Sequence, residues 1–172
     1  MLDAGSPILG FVCASGFLKG STTQQKDHWT RFAHWVSSYY SHGDLSTRNV
    51  DNLEFEVPNI NKESIAASLP PEELSALTDH EAASRSEIYF FKSQNVLFNQ
   101  THKVLCDPET RLLWPKLDFW LLYCDSSPGL AIHSAWEIEK LVKANESLPV
   151  QVLAVEDAHH LVSGIVDMYR LY

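Results

Sequence analysis

The sequence predicts an α/β protein in which a small parallel sheet of about three strands carries a large helical insertion. Three observations lead there. Residues 8–13 form a short apolar run between Pro7 and Ser15-Gly16, as a buried parallel strand does. Residues 114–172 alternate strand, helix, strand and helix, a pattern that closes through parallel pairing. The stretch 20–113 between them has helical or irregular patterning and is too long for a simple crossover.

The elements follow from their residues. Trp29, Phe32, Ala33, Val36 and Tyr40 recur at spacings of three and four, which predicts a helix over about 24–40 with one apolar face. Thr22 and Gln25 have capping-box spacing at its start. Residues 42–69, rich in Ser, Asn and Asp, keep no period and predict a long loop. Pro70-Pro71-Glu72-Glu73 opens a helix, with proline in the first turn and acids facing the dipole. A further helix is expected over 84–105, and Asp107-Pro108-Glu109 starts a short one ending before Pro115. After it come a strand at 117–123, a helix at 131–144, a strand at 150–155 and a helix at 161–171.

Composition and charge narrow the function. The chain has 172 residues, 45% of them hydrophobic and 20% charged, enough for one domain with a real core. Its formal charge of -9 and the lack of any Lys/Arg cluster exclude a nucleic-acid footprint and an anionic membrane partner. The longest apolar run, Phe119 to Cys124, is far short of the roughly 20 residues that span a bilayer. No Lys or Arg precedes the 8–16 run, so a secretory signal is not expected. Three cysteines, Cys13, Cys106 and Cys124, lie far apart without a C-x-x-C pair, which points to reduced core thiols in an intracellular, cytoplasmic protein. His28 and His34 lie six apart, about 120° off one helix face, so no metal site is expected there with His42. Asp44 and Arg48 are placed to form a solvated ion pair.

The chemistry concentrates where ligands meet parallel sheets, beyond the carboxyl ends of the strands. Asp125 and Ser127 follow one strand; Glu156, Asp157, His159 and His160 follow the next, so these groups should cluster. A histidine there can serve as a general base, given an orienting carboxylate on one ring nitrogen and a nucleophile or water on the other. Asp125 is the nearest orienter. Trp29, Phe32, Trp35, Tyr39 and Tyr40 are either core aromatics or the wall of an apolar pocket.

Tyr123-Cys124-Asp125-Ser126-Ser127-Pro128 and Asp157-Ala158-His159-His160-Leu161 together resemble the last part of an α/β-hydrolase. The similarity is strongest to fungal members linked to toxin and other secondary-metabolite biosynthesis. There a Y-G-D-x-S-P-like turn follows an apolar strand, with Cys124 standing here in place of the glycine, and a G-x-N-H-F-like motif carries the base. The resemblance implies one partial hydrolase-like domain over 1–172: a pre-cap strand at 8–13, a helical cap at 20–113 and a C-terminal β-α-β-α segment at 114–172. It also implies ester or acyl hydrolysis without cofactor or metal. His160 would be the catalytic base, Asp125 its orienter, and Trp29, Phe32, Trp35 and Tyr39 the wall against a small apolar ester or acyl substrate.

No G-x-S-x-G occurs, and Cys13 and Ser15 lie on the wrong strand to replace the serine. Met1 lies close to the pre-cap strand, so the expected protein is a truncated or degenerate esterase-like member, inactive alone. The alternative is a non-catalytic interaction module that self-associates or takes a partner chain at an exposed sheet edge.

Overall fold

A computed structural model describes residues 9–11, 25–77, 89, 92–145 and 150–159, without the side chains of 25–30 and 77. Helix α1, Gln25–Val36, is the first helix among the described residues. Two 3-10 turns follow at Leu45–Thr47 and Val50–Asn52, then short helices α2, Ile65–Ser68, and α3, Pro71–Leu77. Helices α4, Gln94–Cys106, and α5, Pro108–Leu113, lead into strand β1, Phe119–Cys124. Helix α6, Gly129–Ala144, then crosses to strand β2, Val150–Val155. The two strands pair in parallel, with Phe119 opposite Val150 and Cys124 opposite Val155.

The α/β class is therefore present: a β-α-β unit preceded, over the described part of 20–113, by helix and loop. The sheet is smaller than expected, with two strands rather than about three among the described residues. Of the run 8–13, residues 9–11 are described, and they are not strand. Leu9 and Gly10 make a turn, with Gly10 at a φ of 82°. A Cβ at Gly10 would lie 2.1 Å from the Phe98 backbone nitrogen, so the chain bends there to lie across α4, and Phe11 packs edge-on to Phe98 at 5.7 Å. The helix expected at 161–171, the Thr22 cap, Cys13, Ser15 and His160 lie outside the described residues.

Several boundaries moved for identifiable reasons. Helix α1 stops at Val36 rather than Tyr40 because Ser37 and Ser38 turn their hydroxyls onto the Ala33 and His34 carbonyls. Tyr40 then leaves the helix and donates its backbone N–H to Ser126 O at 2.9 Å. Strand β1 starts at Phe119 because Leu117 closes a turn onto Trp114 O at 3.1 Å. Ser93 sits outside helical geometry at the N-cap of α4, which begins at Gln94; of the earlier part of the helix expected from 84, Tyr89 and Lys92 are helical and the rest lies outside the described residues. Asp107 caps α5 by accepting from the Glu109 and Thr110 amides, as its position ahead of a proline predicted.

One face of the sheet is closed by α6. Leu53, Tyr123, Ile132, Ala135 and Trp136 form the main core cluster, with Leu121 and Val152 packed against it. Period-two alternation puts Leu121, Tyr123 and Val152 on this face and Trp120, Leu122, Gln151 and Leu153 on the other. The second face is open at one end: Trp120 is 56% and Leu153 46% exposed. It closes only near the strand ends, where Cys124, Val155 and Ala158 meet. Helix α6 has no capping side chain at its start; Gly129 instead donates to Glu54 O at 2.8 Å. Among the described residues no helix is long and apolar enough to cross a membrane.

Candidate functional site at the strand ends

The turns that follow β1 and β2 are bonded to each other. Asp125 N donates to Val155 O at 3.1 Å, and Ser126 N to Ala158 O at 2.9 Å. Parallel strands ending at the same level leave the next amides and carbonyls facing across, so this seam continues the sheet ladder past the strands. It brings together the acid turn and the histidine turn that the sequence placed side by side. Asp125 is half-buried, and its Oδ1 accepts from the Ser126 hydroxyl at 3.1 Å. Ser127, 1% exposed, closes its turn on Cys124 O.

On the other turn, Asp157 takes a left-handed φ of 54°, a conformation that aspartate tolerates better than most residues. Its carboxylate pairs with Lys62. The Lys62 ammonium also lies 4.8 Å from the Tyr39 ring, and Tyr39 stands edge-on to His159 at 4.5 Å. His159 is 1% exposed. The bond to Asp157 holds the Lys62 ammonium above its ordinary pKa, with Tyr39 and Asp125 adding to the effect.

The roof of this region is the stretch 39–64. His42 Nε2 donates to Ser127 O at 2.8 Å, and His42 Nδ1 accepts from Glu54 N at 2.9 Å. The Glu54 carboxylate folds back onto the amides of Glu56, Val57 and Phe55, which lowers its pKa. Tyr40 is buried and donates its hydroxyl to Trp35 O at 2.9 Å; burial, then the Glu54 charge, raises its pKa.

The residues expected to form the site are thus divided. Tyr39 stands against His159 and Asp125 lies on the turn bonded to Val155, whereas His160 itself lies outside the described residues. Phe32 and Trp35 pack instead with Tyr40 and Leu130 in a second core cluster. Trp35 is 7% exposed, and its Nε1 donates to Phe55 O at 2.7 Å, so its indole serves packing. Trp29 falls on α1, its side chain outside the described set. Arg48 does not pair with Asp44. It pairs with Glu139 on α6 at 3.0 Å and lies over Trp136, because Asp44 is occupied in capping the Leu45–Thr47 turn.

Sequence reading missed Lys62 and Glu54 and considered His42 only in setting aside a metal site. All three lie in the stretch without periodicity. The one local signal was its density of Asp, Asn and Ser, the residues that bind their own backbone. His34 Nδ1 lies 3.1 Å from the Ser64 hydroxyl, away from His42's partners. Among the described residues, no three His, Cys, Asp or Glu side chains are grouped to hold a metal ion. A comparison of the chain with family models, curated proteins and solved structures finds no match.

Proposed function

We propose that the strand ends of β1 and β2 carry the acid-and-base half of an α/β-hydrolase-like ester or acyl hydrolase site. The observation that carries this reading is the seam between the two turns, Asp125 N to Val155 O and Ser126 N to Ala158 O. It sets the Asp125 carboxylate on the turn next to the one that runs into His160. In this reading His160 is the base and Asp125 orients its imidazole. Without a nucleophile elbow in the sequence, the chain alone does not turn over esters.

The pairing is tested by following the His160 ring through a pH titration by NMR in wild type and Asp125→Asn. An orienting carboxylate stabilises the imidazolium, so Asp125→Asn should lower the His160 pKa. An unchanged titration would remove Asp125 from the role. Hydrolysis of p-nitrophenyl butyrate should stay at buffer background for wild type and His160→Ala alike. Turnover lost in His160→Ala would make the chain an active enzyme with a nucleophile of another kind.

A second reading, association through the sheet, draws on a different observation. The open face presents Trp120 and Leu153, and neither strand, FWLLYC or VQVLAV, contains a charge or proline that would discourage pairing. The chain then acts by taking a partner or a second copy on this layer.

A further inference from the structure

We propose that His42 is an acid-operated latch, whose protonation releases the Glu54 segment from the acid turn and from the start of α6. The inference stands apart from the hydrolase reading, because the contacts that carry it lie between the 42–54 stretch and the β1–α6 connection whatever the site does.

His42 is clamped between two backbone groups with opposite demands. The Ser127 carbonyl, 2.8 Å from Nε2, requires a proton there. The Glu54 amide, 2.9 Å from Nδ1, requires a lone pair. Only the neutral imidazole with its proton on Nε2 satisfies both. An imidazolium carries N–H on both nitrogens, so Nδ1–H would face Glu54 N–H, donor against donor. The Ser127 side of the clamp survives protonation and is strengthened by the charge. The Glu54 side does not.

The consequence travels because Glu54 is also the capping partner of α6. Its carbonyl accepts from Gly129 N at 2.8 Å, and a Cβ on Gly129 would come within 2.8 Å of that oxygen, so the two backbones fit closely only with glycine there. Displacing the Glu54 backbone therefore uncaps α6 one residue after the Asp125–Pro128 turn.

The groups around the ring set the direction. Tyr40 stacks on it, 6.4 Å between centroids at 18°, with its hydroxyl committed to Trp35 O. The Glu54 and Asp125 carboxylates favour the charged form, and so does the bond to the Ser127 carbonyl. Burial outweighs them and holds the imidazole below its ordinary value of 6.5. The unfolded or released chain thus binds the proton more tightly than the latched one. Latching is complete above about 6.5 and is lost as pH falls through the lower pKa of the folded state.

The chain has eight histidines, so the test reads single residues. Nitrogen-detected histidine NMR at neutral pH should show His42 protonated on Nε2. The Glu54 and Gly129 amides, corrected for chemical exchange rates, should lose protection by up to about tenfold per pH unit as pH falls from about 6.5 to the lower His42 pKa of the latched chain, and level off below it. The Ile138 amide in the middle of α6 should not follow. In His42→Gln the pH dependence at Glu54 should vanish. A proton on Nδ1, a flat Glu54 profile, or loss of protection in step with Ile138 would overturn the latch. The wild-type profile decides the matter by itself should the glutamine variant fail to fold.

Discussion

Between residues 37 and 64 the chain has little apolar content yet is held at bend after bend, whereas β1 and β2 are almost wholly apolar yet cover only one face. In the first region Asp44 and Asn49 each cap a 3-10 turn, and Asn52 Nδ2 donates to Asp44 O at 2.9 Å. Glu54 collects three amides, Asn59 accepts from Asn61 N, and Ser64 caps α2. In the second, Trp120 and Leu153 remain exposed on the face that α6 does not reach. Polar side chains with short reach satisfy the backbone locally, and apolar ones are satisfied only by what packs on them. Order follows from the number of demands met, and composition alone does not count them.

The comparison can be broken most severely at the side of the sheet that is covered. Ile132 is 0% exposed in the main cluster, and Ile132→Ala should cost about 2–5 kcal/mol in urea denaturation. A loss below about 1 kcal/mol would mean that α6 contributes little to the sheet's order. Next in size is Gly129→Ala, which forces the Glu54 carbonyl away and should cost about 1–3 kcal/mol. Amide exchange in that variant should rise at Glu54 and Phe55 before it rises in β1, if the loop is an independently held unit.

Smaller effects sharpen the contrast. Asn52 bridges Asp44 O and the Thr47 hydroxyl, and Asn52→Ala should cost about 0.5–1.5 kcal/mol, a notable amount for a residue in an irregular stretch. Trp120→Lys should change stability by no more than about 0.5 kcal/mol, since its side chain is more than half exposed. If the open face is an association surface, the wild type should elute ahead of its monomer mass in size-exclusion chromatography and Trp120→Lys at it. A monomeric wild type would remove the association reading and leave the face without that role.

The legible parts of this protein were those in which neighbouring residues carry the signal. The strand Val150–Val155 was read to the residue because a mostly apolar run bounded by Pro149 and Glu156 has few alternatives. The cap of α5 was equally local, an aspartate ahead of Pro108. The adjacency of the acid and histidine turns also followed from sequence, since a β-α-β unit sets two strand ends side by side.

Contacts distant in sequence were settled only in three dimensions. Arg48 chose Glu139 over Asp44, 91 residues away rather than four, because Asp44 had already been taken by its own backbone. His42 reached Ser127, and the Glu54 carbonyl became the cap of α6, through pairings that no local pattern encodes. The short apolar run near the start turned at Gly10 because α4 lay against it, a close approach invisible in the run itself. Sequence determined which segments could be helix or strand and where the chemistry gathers, because those depend on local periodicity and chain order. Tertiary structure decided which partner each polar group took, because that depends on which groups remain unsatisfied once the elements have packed.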